Sequence, residues 1–246
     1  MQLTDTVLSV SDIQYPYHDK KVWKAVLKFA KQLKPSGVIL NGDGFDFYDL
    51  SKFDKNPARL GNLQKEIKAF TQEVLAPLDS ATMGAWKSYT EGNHEARVQK
   101  YLWHQAPELS GLSRLEVPAL LHLDEYGFDY TKAPVKIGKH LIVLHGHLIS
   151  KHAGWSAKQH YDRYGTSLVI GHTHRIGTYM LRDWNGMHIA VEQGCLCDLE
   201  PEYEQHPNWQ QGFAVIHVFS DKTFSVQPVT VVNRKYLLYG NERFDV

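Results

Sequence analysis

The sequence predicts an α/β fold in which two packed sheets are flanked by helices. Short apolar runs that end at polar residues recur along the 246 residues, and amphipathic segments with helical spacing separate the first of these runs. After an irregular middle, the chain becomes strongly β in character. Strands that alternate with helices and are then followed by further strands are typical of a layered α/β architecture, because each sheet needs a covered face.

The first predicted unit is β-α-β. Residues 6–11 and 38–40 are short apolar runs expected to be buried strands, the first ending at Asp12 and the second at residues 41–43. Between them, apolar residues recur at helical spacing after Asp19, which can cap the helix. Polar residues after both strands predict a functional site at the carboxyl edge of the sheet.

The remaining elements are expected in the same alternation. Residues 44–61 show no period and predict a loop over the site, whereas residues 63–78 predict a longer amphipathic helix. Residues 107–134 are expected to be irregular. Further strands are expected at residues 86–90, 141–144, 167–170, 187–191, 213–219 and 224–232. No repeat or Gly/Ser linker divides the chain, so we expect a single domain over residues 1–246.

Composition narrows the class of protein. The 27 basic and 27 acidic side chains cancel, which disfavours tight sequence-independent DNA binding, although a short nucleic-acid end could still enter an active site. The one basic run is expected to be the solvated face of the first helix, with lysines at positions 20, 21, 24, 28, 31 and 34.

Location in the cell is predicted from three features. No segment approaches the roughly 18 apolar residues of a membrane span, and the first residues lack the basic region and apolar run of a signal peptide. The two cysteines, Cys195 and Cys197, are too closely spaced for a favourable disulfide and are expected to be reduced. We therefore expect a cytoplasmic protein without a membrane partner.

Potential metal ligands follow five of the predicted strands. They are carboxylate, amide and imidazole groups: Asp12, Asp43, Asn93, His145, and the pair His172 and His174. Strand ends are rigid, and the loops after them stay open to substrate. This mixed set suits Mn²⁺, Fe²⁺, Zn²⁺ or Co²⁺ better than Ca²⁺ or a thiolate-bound metal. Each residue alone has a structural explanation, so the prediction depends on their order and repetition.

In this order, the residues resemble the five motifs of the calcineurin-like metallophosphoesterase superfamily, especially its short phage-type and bacterial phosphoesterases. The segments that carry the resemblance are residues 12–14 (DIQ), 42–46 (GDGFD), 92–95 (GNHE), 145–147 (HGH) and 171–174 (GHTH). The family patterns are D-x-H, G-D-x-x-D, G-N-H-E, H-G-H and G-H-x-H. The resemblance implies a four-layer α/β/β/α sandwich of two mixed sheets flanked by helices.

The same resemblance implies a dinuclear metal centre that hydrolyses phosphomono- or phosphodiesters with an ion-activated water. The implied ligands are Asp43 as the bridge, Asp12, Gln14 and His174 for the first ion, and Asn93, His145 and His172 for the second. His94 would bind no metal and would act as the catalytic residue near the leaving-group oxygen. We expect two divalent ions, Mn²⁺ first, with Fe, Zn, Ni or Co as alternatives.

Gln14 departs from the family pattern, which has His at this position. An amide oxygen is a weaker donor than imidazole for these metals. Three alternatives stay open: Gln14 binds the first ion directly, it binds through water, or His18 reaches the ion instead. His18, Arg97 and His147 are the candidate substrate contacts.

The substrate is predicted only by class. A small phosphate ester, including a nucleotide, is the first hypothesis, and a nuclease that processes DNA or RNA ends is the alternative. A non-catalytic scaffold would lack several ligands, and here a single position departs. An aromatic loop either stacks a base or packs on itself, and it contains Phe45, Phe47, Tyr48 and Phe53.

Overall fold

Residues 2–201 and 207–246 are described in the computed structural model of the chain, and they contain thirteen strands and six α-helices. The strands are β1 (Leu3–Val10), β2 (Gly37–Asn41), β3 (Trp86–Thr90), β4 (Phe128–Thr131), β5 (Val135–Ile137), β6 (Leu141–Leu144), β7 (Ser167–Ile170), β8 (Ile176–Asp183), β9 (Gly186–Gln193), β10 (Gly212–Phe219), β11 (Phe224–Val232), β12 (Tyr236–Tyr239) and β13 (Glu242–Asp245). The helices are α1 (Lys20–Leu33), α2 (Leu63–Phe70), α3 (Ala76–Ala81), α4 (Ala96–Gln105), α5 (Val117–Leu120) and α6 (Trp155–Tyr164).

Two mixed sheets form the centre of the fold. The larger has the order β13-β12-β11-β10-β1-β2-β3-β4, and the smaller has the order β5-β6-β7-β9-β8. Strands β1 to β4 are parallel to one another, as are β6, β7 and β9. The carboxyl ends of parallel neighbours lie at one edge of a sheet, so the residues after these strands are brought together.

Side-chain alternation in β1 shows how the layers are assembled. Leu8 and Val10 face the core shared with α1 to α3, whereas Val7 faces the core between the two sheets, where it packs with residues such as Val143 and Val191. Helix α6 covers the outer face of the smaller sheet through Ala157 and Tyr161. The layers are therefore helices, sheet, sheet and helix, which confirms the predicted fold class.

Helix α1 agrees with its prediction at both faces. Asp19 caps it by accepting hydrogen bonds from the backbone N–H groups of Lys21 and Val22. Its apolar face is buried, and the six lysines of the basic run are exposed. No helix among the described residues is both long enough and apolar enough to cross a membrane.

Other regions depart from the prediction. The predicted helix over residues 63–78 is continuous but contains a π-helical turn, Thr71–Leu75, between α2 and α3. Residues 107–134 are not irregular throughout, because they include α5 and β4. Strands β5, β8, β12 and β13 and helix α6 were also not expected. These strands are short or lie at sheet edges with half their residues in contact with solvent, so they lack a buried apolar run.

Candidate metal centre

The carboxyl ends of β2, β3, β6 and β7 bring four predicted ligands together. The Nε2 atom of His145 lies 3.2 Å from Asp43 Oδ2 and 3.3 Å from Asn93 Oδ1. Asp43, His145 and His172 each offer one ligand atom, and these atoms lie within 4.8 Å of one another. Asn93, His145 and His172 are the predicted ligands of the second ion and Asp43 is the predicted bridge, and these roles stay predictions.

A second group of ligands lies at the end of β1. The Nε2 atom of His174 lies 3.1 Å from Asp12 Oδ1 and 3.1 Å from the Nε2 atom of Gln14. Asp12 Oδ2 accepts a hydrogen bond of 3.0 Å from the backbone N–H of His172, which joins this group to the first. Rotating the Gln14 amide would exchange its nitrogen and oxygen, so this side chain can offer either a donor or a ligand at that point.

The chemistry of Asp12 tests whether these residues fit a cation. Its Oδ1 atom is buried and accepts no hydrogen bond from the described residues, although His174 Nε2 is 3.1 Å away. The two atoms therefore approach each other without hydrogen-bond geometry. A buried carboxylate oxygen without a partner is costly, and a divalent cation supplies the missing partner. The residues present fit metal ions.

Outer contacts fix the direction of the ligands. His145 Nδ1 lies 2.8 Å from the carbonyl oxygen of Asn41, to which it donates, and this leaves Nε2 for the centre. Behind His174, the Nδ1 atom lies 3.8 Å from the Sγ atom of Cys197. Cys195 and Cys197 are both free and buried.

Glu95, which sequence reasoning did not single out, connects two of the loops that carry ligands. Its fully buried carboxylate accepts five hydrogen bonds of 2.6–3.3 Å, from the backbone N–H groups of Asp43, Gly44, Phe45 and Gly92 and from the Tyr89 hydroxyl. The loops after β2 and β3 are therefore held against each other. Glu95 is the last residue of the GNHE segment, so the sequence did mark its position. A position in a motif does not reveal which groups the side chain contacts.

Backbone strain is concentrated in the ligand residues. Five of them have positive φ angles of 50–66°, namely Asp12, Gln14, Asp43, His172 and His174. Non-glycine residues rarely adopt this left-handed region, at a cost on the order of 1–2 kcal/mol each. Such strain is typical of functional sites, where the surrounding structure enforces it.

Burial and charge act in opposite directions on the side chains of the centre. Burial raises the pKa of Asp43, but His145 and His94 outweigh burial and hold that pKa well below its usual range. Burial lowers the pKa of His145, but Asp43 outweighs it and raises the pKa to about 10. Burial, together with His145, lowers the pKa of His172 to about 4. Asp43 is thus an anion and His172 a neutral imidazole, the forms that bind metal, whereas His145 is protonated and would release a proton when an ion binds.

His94 lies beside the centre and is held by Asp46. Its Nδ1 atom is 3.2 Å from both the carbonyl oxygen and the Oδ1 atom of Asp46, so Nδ1 carries the donated proton. Its Nε2 atom faces Asp43 Oδ2 at 3.5 Å and Arg97 Nη2 at 3.3 Å. Arg97 Nη1 in turn donates to Asp46 Oδ1 at 2.5 Å. The predicted catalytic residue and one predicted substrate contact therefore share a single acidic partner.

The other two predicted substrate contacts lie in different surroundings. His18 is buried, stacks on Tyr15 with ring centroids 5.1 Å apart, and lines a pocket of about 440 Å³ that Gln14 also borders. His147 is exposed, and its Nε2 atom lies 3.2 Å from Arg163 Nη1. Both stay predictions as substrate contacts.

The aromatic loop is divided between core and surface. Phe45 and Phe47 are fully buried, with ring centroids 4.5 Å apart. They pack into the fold and are not available to stack a base. Phe53, by contrast, is 68% exposed.

The architecture is shared with a solved structure. The structure of vacuolar protein sorting 29 from Cryptosporidium parvum matches with a TM-score of 0.52 and 16% identity over 100% of both chains. This likeness shows the fold alone. A dimetal phosphatase from Danio rerio is less similar, with a TM-score of 0.48 and 12% identity over 89% of this chain and 94% of its own.

In sequence, the chain is similar to the gene 54 proteins of two mycobacteriophages. It is 29% identical over 230 residues to the protein of phage L5, covering 88% of this chain and 90% of the phage protein. The protein of phage D29 is 29% identical over 232 residues, with the same coverage. No protein-family model matches the chain.

Proposed function

We propose that the chain is a metal-dependent phosphoesterase of the calcineurin-like superfamily, which hydrolyses phosphomono- or phosphodiesters with two divalent ions. One observation carries the proposal: Asp12 Oδ1, which is buried and accepts no hydrogen bond from the described residues, faces His174 while Asp43 faces His145, so the structure holds two carboxylate–imidazole pairs. Only Gln14 departs from the family pattern, whereas a scaffold that had lost its ligands would depart at several positions. The nearly complete set of ligands therefore favours an active enzyme.

The proposed ligands are those implied by the motifs. Asp43 would bridge the ions, Asp12, Gln14 and His174 would hold the first, and Asn93, His145 and His172 would hold the second. When bound, the ions would activate a water and neutralise charge on the phosphoryl oxygens. We propose Mn²⁺ first, because carboxylate and amide oxygens mixed with imidazole suit it.

The chain's own residues supply proton transfer and orientation. His94 directs Nε2 towards Asp43 while Asp46 holds its other ring nitrogen. Burial lowers the pKa of His94, but Asp43 and Asp46 outweigh burial and raise it, so the doubly protonated ring could deliver its Nε2 proton to a leaving oxygen and keep the proton on Nδ1. Arg97 is tied to the same carboxylate and would orient His94 or contact a phosphate. We also propose a cytoplasmic location, which the two free buried thiols support.

Metal content and turnover test the proposal together. Chelation should abolish hydrolysis of bis(p-nitrophenyl) phosphate and p-nitrophenyl phosphate, and readdition of Mn²⁺ should restore it as elemental analysis approaches two ions per chain. Asp43→Asn should lose both ions and activity, because we propose that its carboxylate bridges the two ions. The control is Asp129→Asn, at an exposed position of β4, which should behave as the parent. Full turnover in excess chelator would refute the proposal.

A further inference from the structure

We propose that a cationic and aromatic groove beside Asn93 binds single-stranded nucleic acid, and that this strand is the substrate of the metal centre. The inference rests on the proposed function and names its substrate class. The groove has a volume of about 820 Å³. One wall is the loop around residues 50–55, the other is helix α4, and Asn93 borders it.

One face of α4 forms the longer wall. Arg97, Lys100, Tyr101 and His104 line the groove at spacings of three, four and seven residues from Arg97. Residues at these spacings lie on the same side of a helix. The rise from Arg97 to His104 is about 10 Å, so the wall is long enough for an extended chain rather than a single phosphate.

The groove concentrates positive charge on a chain whose overall formal charge is zero. Lys52, Lys55, Arg97 and Lys100 line it, and no Asp or Glu is among the described lining residues. Arg97 is paired with Asp46, whereas within residues 2–201 and 207–246 no carboxylate lies within ion-pair distance of the three lysines. Such a surface matches a repeated anion, because each cation can contact one phosphate.

Exposed aromatic rings on both walls identify the polyanion. Phe53 is 68% exposed and Tyr101 is 41% exposed, one on each side of the groove. The ammonium group of Lys52 lies 5.5 Å from the centroid of the Phe53 ring. Aromatic rings interleaved with cations bind single strands, because unpaired bases stack on the rings while the cations follow the backbone. A phosphopeptide would use the cations but would leave the two rings unexplained.

The groove adjoins the candidate metal centre. Asn93 borders it and its Oδ1 atom lies 3.3 Å from His145 Nε2, while Arg97 contacts His94. A strand in the groove would therefore bring a phosphodiester to the side of the centre where His94 stands. The exposed Phe53 and Tyr101 would hold bases next to it.

Binding of a fluorescein-labelled oligothymidylate of about 12 nucleotides tests the inference by fluorescence anisotropy. The full chain is used, with chelator present so that no hydrolysis occurs. Lys52→Glu/Lys100→Glu should weaken binding at least tenfold and reduce the dependence of log affinity on log salt by about 1.4, since each lost contact to a single strand contributes about 0.7. Phe53→Ala/Tyr101→Ala should weaken binding about tenfold, the size expected for lost stacking.

Two controls match these changes. Lys24→Glu/Lys28→Glu makes the same charge change on the exposed face of α1. Trp103→Ala removes a 58% exposed ring from α4 that does not line the groove. Both controls should bind like the parent, and thermal unfolding checks that every variant is folded.

The outcomes separate this inference from the proposed function. If the parent with Mn²⁺ does not hydrolyse small esters, the proposed phosphoesterase activity is refuted. Oligonucleotide binding is measured without turnover, so its result is independent of that activity. Unchanged binding by Lys52→Glu/Lys100→Glu would show that the groove is not the binding site. Equal displacement by inorganic polyphosphate, with no effect of the aromatic variant, would overturn nucleic acid as the ligand and favour a phosphopeptide or another polyanion.

Discussion

Gln14 decides how the proposed first ion is held. Its amide nitrogen lies 3.1 Å from His174 Nε2, and its φ of 50° is in a region that His tolerates better than most residues. Gln14→His should therefore fit, and imidazole should bind the ion more tightly than an amide does. We expect the Mn²⁺ concentration for half-maximal rate to fall about tenfold, equivalent to about 1.4 kcal/mol.

A titration of rate against Mn²⁺ measures this change. The control Gln32→His places the same side chain on the exposed face of α1 and should leave the requirement unchanged. A requirement for Mn²⁺ that does not fall in Gln14→His would show that residue 14 does not contact the ion.

Substitution of His94 tests proton transfer separately from metal binding. Its backbone N–H donates to Asp43 Oδ1 at 2.9 Å, a bond that alanine keeps, whereas its side chain approaches Asp43 Oδ2 only to 3.5 Å. His94→Ala should therefore retain both ions, while turnover of a nucleoside or alkyl ester falls by about 10²-fold. The loss on a nitrophenyl ester should be markedly smaller, because its leaving group departs without a proton.

Parallel kinetics on the two ester classes, with metal analysis, check this expectation. His122→Ala, which removes an exposed imidazole, is the control. An equal loss on both esters would assign His94 to binding a non-bridging oxygen instead, and loss of an ion would make it a ligand.

At the scale of elements, Glu95 couples the end of β2 to the end of β3. Glu95→Gln keeps the shape but turns an NH₂ group towards N–H donors, so at least one buried donor loses its acceptor. We expect the free energy of unfolding to fall by about 2 kcal/mol or more. Urea unfolding of the metal-free protein measures it.

The matched control for this change lies at the same sheet edge. Glu91 is partly exposed, accepts a hydrogen bond from Tyr130 at 2.9 Å and pairs with Lys132 at 3.3 Å. Glu91→Gln should cost less than about 1 kcal/mol, as is usual for solvated pairs. Similar losses in the two variants would mean that the Glu95 contacts do not hold the loops.

The same elements show what could be read from the sequence. The strands β1, β2, β6 and β7 were predicted because each contains a buried apolar run that is followed by a polar residue. Strand β3 was predicted although its sequence, WKSYT, is not an apolar run. Edge strand β8 alternates between half-buried and exposed residues and gave no comparable signal. The role of Glu95 and the burial of Phe45 depend on contacts between distant segments, which no local pattern carries.

For the whole molecule, ion binding should be linked to stability. Ligands come from the ends of strands in both sheets, so unfolding disperses them and only the native state should bind. Mn²⁺ at about 100 times its Kd should add about 2.7 kcal/mol for each ion bound, which raises Tm by roughly 5–10 °C per ion for a chain of this size.

Thermal unfolding with and without Mn²⁺ measures the shift. Asp43→Asn should remove most of it, whereas Asp129→Asn should keep it. A shift of the same size in Asp43→Asn would place the stabilising ion elsewhere in the molecule.

The left-handed backbone at Asp12, Gln14, Asp43, His172 and His174 also has an evolutionary consequence. While selection maintains the proposed reaction, these side chains are kept at a standing cost in stability. In a lineage that no longer needs the proposed reaction, glycine at Gln14, His172 or His174 would relieve strain without removing an acceptor from a backbone N–H, as glycine at Asp12 or Asp43 would. Descendants that have abandoned catalysis should therefore accumulate glycine at these positions, and their ancestry could be recognised by it.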